Sequence, residues 1–228
     1  MTRKAPIRND VQAVQSLVNY NLKELEDCVG SVYKMLESVQ YQEHLMAALK
    51  GQEIDYIGEL LKDTPRAKIF FKFPRILEAS LFITLYAFLE HTLIQLCGII
   101  GIRGGYSLRV SDVKGRGVEA ARIYIKKAAE LPFPDESRGW RDIQIYRLIR
   151  NCIVHQDGRV SDNDRKLQEG IRRFGTQGLS VNIIGGEIEL SKPFCIEFIR
   201  TMEEFLKTLF DGIAAQDSEV RPQSSGRP

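Results

Sequence analysis

Over residues 10–50, apolar side chains return at steps of three and four: Val14, Leu17, Val18, Leu22, Leu25, Val29, Val32, Leu36 and Val39. That period gathers them on one face of a helix with 3.6 residues per turn. Asp10 is expected to cap the start and Gly51 to stop it, because a short oxygen side chain satisfies free N–H groups and glycine accepts a left-handed turn. A short further helix is expected over residues 54–61, before Thr64-Pro65. Pro74 opens the next segment, which runs to Gly98 or Gly101. It is apolar almost all round, the mark of a central helix packed on several sides. Another short helix spans residues 118–130 and is ended by Pro132 and Pro134.

Ser137 or Gly139 starts a helix reaching His155, with Ile145, Leu148, Ile149 and Cys152 as its apolar stripe. A short helix comes next, near residues 163–174. Residues 179–184 and 187–190 read as two strands around Gly185-Gly186, a pair suited to a tight primed hairpin turn. Pro193 opens a last helix to about Ala214, with Cys195, Phe198, Met202, Phe205 and Leu209 facing inward. Residues 1–9 and 215–228 are polar and expected to be loose, the latter as a disordered tail. The pattern predicts one all-α domain over residues 10–214, a helical bundle with a small β-hairpin before the last helix.

Composition narrows the partners. Apolar residues make up 43% and charged residues 27%, enough for a solid core and a solvated surface. A net charge of +2 provides no global field toward nucleic acid or membrane, so any such site is a local patch. Cys28, Cys97, Cys152 and Cys195 are scattered without a CxxC pair, which argues against a zinc site or disulfide framework and for reduced thiols in the cytoplasm. The first 30 residues carry charges throughout, so no signal peptide is expected. Residues 76–102 are long and apolar enough to span a bilayer, but Glu78, Glu90, His91 and Gln95 would be costly there, and a buried core helix is expected instead. No Walker loop, GxGxxG, HExxH or GxSxG motif occurs, and neither cofactor nor metal is expected.

One local patch stands out. Residues 101–127 carry seven Lys or Arg against Asp112 and Glu119, a local excess of +5. Arg103, Arg109, Lys114 and Arg116 lie in its glycine-rich part and are candidate contacts to RNA phosphates. The competing reading is a solvated loop.

Candidate chemistry sits in Arg150-Asn151-Cys152-Ile153-Val154-His155, at a helix end before Gly158. Cleaving RNA without a metal needs a proton shuttle at the 2′-hydroxyl or the leaving 5′-oxygen. Histidine suits this, since its unperturbed pKa is near 6.5. It also needs a fixed cation on the pentavalent phosphate, which arginine supplies through a planar donor fork. Asn151 would orient the histidine or hold a phosphate oxygen. In a continuous helix Arg150 and His155 leave the axis about 140° apart, so convergence requires a distorted helix end or a second protomer. The competing structural reading pairs Arg150 with a carboxylate such as Glu90 and leaves His155 as a cation at the helix C-terminus. Glu90, in an apolar helix, needs a partner in either case. His91 is expected in the core or an interface, and His44 on the surface.

These residues resemble the HEPN superfamily (higher eukaryotes and prokaryotes nucleotide-binding domains), whose motif is Arg-x4–6-His, often with a polar residue after the Arg. Arg150, Asn151 and His155 match it. The segment from Leu85 to Leu93, with Tyr86 and Glu90, is similar to the second helix of defence-type members, and the hairpin is similar too. The resemblance implies a homodimer whose cleft combines both motifs, and a metal-independent endoribonuclease of toxin or phage-defence type. Its products would be 2′,3′-cyclic phosphate and 5′-hydroxyl ends. His155 would be acid or base, Arg150 the phosphorane stabiliser, Asn151 the positioner and Glu90 a support for Arg150. An antitoxin or defence-system protein would be a further partner. Two rivals stand beside it: a non-catalytic RNA- or nucleotide-binding module, and a helical dimerisation or interaction protein.

Overall fold

The computed structural model describes residues 7–55, 58, 64–178 and 180–219. The chain is mostly helical, with one two-stranded antiparallel hairpin before the last helix. Helix α1 spans Arg8–Leu49. Its buried positions, Val11, Val18, Leu22, Val29, Leu36 and Ala47, form one narrow seam, flanked by half-buried Val14, Leu25, Val32 and Tyr33. The helix starts earlier than the sequence suggests. Asp10 lies in the first turn and pairs with Arg103 at 2.7 Å rather than capping it. The stop at Gly51 takes the expected form: φ is +64°, and the Gln52 N–H donates to the Ala47 carbonyl at 2.9 Å. The helix expected over residues 54–61 lies mostly outside the described residues.

Helix α2 runs over Pro65–Gly104, longer at both ends than the sequence pattern suggests. Thr64 caps it by accepting the Ala67 N–H at 3.1 Å, with Pro65 in the first turn where its missing N–H costs nothing. Pro74 therefore does not open a helix but sits inside one. A widened π turn, Lys68–Lys72, lies directly upstream, where an unmodified α-helix would drive the proline ring into a carbonyl. The all-round packing expected for α2 is also corrected. Phe82, Leu85, Tyr86, Leu89, Leu93, Leu96 and Ile100 are buried on one face, while His91, Ile94, Gln95 and Ile102 are exposed on another. By length and composition this helix could cross a membrane.

Helix α3 covers Gly117–Ile123 and continues as a π turn, Tyr124–Ala128. Helix α4 spans Arg138–Gln156, and Ser137 Oγ accepts the Trp140 N–H at its start. Helix α5 is Arg165–Thr176. Strands β1, Val181–Ile184, and β2, Glu187–Leu190, pair with Ile184 opposite Glu187. Gly185 and Gly186 take φ of +59° and +83°, as a primed turn demands. Helix α6 spans Phe194–Glu219, past the tail boundary expected at Ala215. Gln216 helps extend it by donating from Nε2 to the Glu130 carbonyl at 3.2 Å.

Two compact units emerge. One holds the described residues of Met1–Lys23, Tyr86–Gln144 and Arg200–Pro228. Its core includes Leu93, Tyr124, Ile143, Leu209 and Phe210, with Trp140 between Phe133 and Phe205 at centroid distances of 4.8 and 5.7 Å. The other holds Glu24–Leu85 and Ile145–Ile199. Its centre is an aromatic cluster in which Tyr146 meets Phe198 at 4.5 Å and Phe174 at 4.8 Å, with Phe82 and Phe194 alongside. Such offset and edge contacts add about 0.5–1.5 kcal/mol per pair beyond the area buried.

Candidate functional site at the end of helix α4

Burying Tyr146, Ile149 and Cys152 turns the opposite side of α4 outward. That side carries Arg147, Arg150 and Asn151, half-buried, then Val154 and His155, exposed. Arg150 Nη1 donates to Asn151 Oδ1 at 3.0 Å, so the asparagine holds the guanidinium. The helix stays regular through Gln156. Arg150 and His155 therefore leave it about 140° apart, with Asn151 between them. The helix end is undistorted, which removes one of the two routes to convergence.

The turn after His155 is ordered. Asp157 takes a left-handed φ of +54° and Gly158 one of +76°. The Gly158 N–H donates to the Cys152 carbonyl at 3.1 Å, and Cys152 Sγ donates to the Arg159 carbonyl at 3.2 Å. The chain then pairs with the hairpin. The Ile188 N–H donates to the Gly158 carbonyl and the Val160 N–H to the Gly186 carbonyl, both at 2.8 Å. Arg159 points outward, with Nε 3.9 Å from Glu187 Oε1. Glu187 is itself held by Arg75 Nη2 at 2.8 Å, which keeps its carboxyl below the usual glutamate range.

Glu90 has a different setting. It belongs to the first unit and is half-buried rather than buried. Its carboxylate lies against Gly117, where a Cβ would come within 2.0 Å of Oε1. That places a negative group at the amino end of α3, where the helix dipole favours one. Gly117 has φ of +54°, so glycine suits this position twice over. Within the basic segment, Arg103 is committed to Asp10, while Arg109, Lys114 and Arg116 are exposed. The Arg109 backbone N–H donates to Asp112 Oδ2 at 2.9 Å, fixing the 3-10 turn at Val110–Asp112. His91 and His44 are both exposed, so His91 does not lie in the core.

Two features are not anticipated by the sequence pattern. Arg147 lies one turn before Asn151 on the same stripe, and the i, i+4 spacing is its signal. The second is a buried cluster in the other half of the same unit. Glu78 is 4% exposed, and its Oε2 accepts from Tyr33 Oη at 2.9 Å and from Cys195 Sγ at 3.4 Å. Burial pushes the Glu78 carboxyl up, against the pull of those two hydrogen bonds. Burial likewise pushes the Tyr33 and Cys195 groups above their ordinary ranges. Glu78 Oε1 has no hydrogen-bond partner among the described residues. No local pattern announces this cluster.

Comparison with family models, with curated proteins and with solved structures finds no match to this chain.

Proposed function

We propose that this chain is a metal-independent endoribonuclease that works as a homodimer, a cytoplasmic effector of the toxin or phage-defence kind. The observation that carries this reading is the outward face of α4, where Arg150 is held by Asn151 one turn before an exposed His155. In the reaction, the 2′-oxygen attacks the adjacent phosphorus as its proton passes to a base. The P–O5′ bond breaks and the leaving oxygen takes a proton from an acid. The products are a 2′,3′-cyclic phosphate and a 5′-hydroxyl. Arg150 offsets charge on the phosphorane. His155 supplies one proton transfer, and its symmetry mate across a two-fold axis supplies the other. The same axis answers the 140° divergence, because side chains that part on one helix can meet their counterparts on another.

A second reading rests on that divergence taken alone. Without a facing copy, Arg150 and Asn151 can grip a phosphate while His155 stands apart, and the chain binds RNA without cutting it. One experiment separates the two. Total RNA is incubated with purified protein in EDTA, wild type beside His155→Ala. Cleavage with cyclic ends by the wild type alone is expected. Equal cleavage by both, or a strict Mg²⁺ requirement, refutes the mechanism, and binding without cleavage leaves the second reading.

A further inference from the structure

From Ile143 to Gln156, helix α4 carries two arginines and no acidic residue. The carboxylate nearest to Arg147 in sequence, Asp142, is buried and meets Arg138 at 3.5 Å. Arg147 and Arg150 stand three residues apart, so their charges are neighbours on the helix surface, where like charges repel. Arg150 is bonded to Asn151. Arg147 is half-buried, yet it makes no hydrogen bond or ion pair among the described residues. Other arginines of this chain differ: Arg66, Arg75, Arg103, Arg122 and Arg159 each meet a carboxylate.

The manner of its burial shows what Arg147 can still do. Its Nε is enclosed, while the two terminal nitrogens are not. The stem packs and the end of the planar fork stays open to an incoming acceptor. A half-buried cation without a counter-charge is costly, and a phosphate oxygen would relieve both that cost and the repulsion from Arg150. A long side chain on a helix leans back toward the amino end. Arg150 is instead tied to Asn151, on its carboxyl side, which favours two separate anions along the axis over one shared by both forks. We propose that Arg147 holds the phosphodiester next to the one at Arg150, so that the substrate is an RNA strand presenting at least two consecutive phosphates to α4. The inference rests on the ribonuclease reading for the RNA at Arg150, and adds the second contact and the length requirement.

Isothermal titration calorimetry on the full chain at low salt tests it with 2′-O-methyl oligonucleotides of two and five residues. Both lack the attacking hydroxyl, and they carry one and four phosphodiesters. Arg147→Gln should weaken the longer probe by about tenfold or more, as loss of a charge-assisted hydrogen bond does. The log–log salt slope of that probe should fall by about 0.7. The shorter probe should lose less than about twofold, since its one phosphate goes to Arg150. Arg147→Lys keeps the charge and should stay within about threefold of wild type on the longer probe, with the slope unchanged. Arg172→Gln, at an exposed position of α5, controls for net charge. Arg147→Gln should melt at or above the wild-type temperature, because it removes an uncompensated cation, whereas loss of a merely structural arginine lowers it. A wild type that gives this pattern but cuts no RNA removes the ribonuclease reading and supports the phosphate contact. Equal binding of the longer probe by wild type and Arg147→Gln, equal losses on both probes, a loss no greater than that of Arg172→Gln, or no binding of the longer probe to wild type overturns the proposal.

Discussion

Arg150 and Asn151, neighbours in sequence, are joined side chain to side chain by a 3.0 Å hydrogen bond on the outward face of α4. The asparagine is thus one of the groups that hold the arginine's charge, and the two substitutions should differ in degree. Arg150→Ala removes the charge and should slow RNA cleavage by about 100-fold, the usual cost of one donor to a charged transition state. Asn151→Ala only loosens the arginine and should cost about tenfold, on the order of one hydrogen bond. Both positions are half-buried and face outward, so melting temperatures should stay close to wild type. Single-turnover rates on one RNA substrate check this, and a larger loss for Asn151→Ala than for Arg150→Ala would contradict the assigned roles.

Arg103 is held by Asp10, which leaves Arg109, Lys114 and Arg116 as the exposed candidates in the glycine-rich part of the basic segment. If these three contact RNA, neutralising them should flatten the salt dependence of binding by about 2 in the log–log slope, given roughly 0.7 per phosphate contact on single strands. Arg103→Gln should change the slope much less. Filter binding over a salt series reads both, and an unchanged slope in the triple variant makes the segment a solvated loop.

Gly170 in α5 faces Ile145 of α4 so closely that a Cβ would meet Ile145 Cγ2 at 2.8 Å. Ile145 is buried and β-branched, so it has little freedom to turn aside. Gly170→Ala should destabilise by about 1–3 kcal/mol, as overpacking usually does. Gly175, in the same helix, has no atoms within 4 Å of a built Cβ. Gly175→Ala should be neutral or stabilising by up to about 1 kcal/mol, because alanine restricts the unfolded chain. Urea unfolding of the pair tests the helix contact, and equal effects would deny it.

Two carboxyls should leave opposite marks on the pH dependence of stability. At Asp135 burial raises the carboxyl's pKa, but hydrogen bonds from Lys126 and Arg122 outweigh it and hold the group below the ordinary aspartate range. Its stabilisation is present above the unfolded pKa and lost as pH falls through the folded one, below about pH 4. Glu78 is raised, mainly by burial. Its contribution is full below the unfolded pKa of about 4.3 and is lost as pH rises through the folded value. The stability gap between wild type and Asp135→Asn should therefore shrink on acidification below about pH 4. The gap between wild type and Glu78→Gln should shift against the wild type as pH climbs above about 4.3. Denaturant midpoints over a pH series read both, and curves that stay parallel to wild type would rule out the shifts.

Features with local causes were legible in the sequence. Gly185-Gly186 between two short runs has one good solution, and the hairpin is there. Gly51 ends α1 as a glycine past an apolar period should. The motif residues on α4, and the angle between them, come from helical period alone. Features that were not legible depended on remote parts of the chain. Asp10 reads as a cap until Arg103, 93 positions later, takes its carboxylate. Pro74 reads as a helix start until a π turn upstream carries the helix through it. Glu78 gains Tyr33 and Cys195 from 45 and 117 residues away, distances over which no spacing rule speaks.

The pairing of residues 158–160 with the hairpin bears on entropy at the motif. A free turn after His155 would have to be ordered whenever RNA settled against it, at about 1–2 kcal/mol per residue. Here the Gly158 carbonyl and the Val160 N–H are already bonded to Ile188 and Gly186, so that ordering is complete once the chain has folded. RNA bound at the end of α4, as proposed, would be spared the loss. The same bonds tie the turn's motion to opening of the hairpin, and the Val160 and Ile188 amides should exchange with solvent together, at one rate.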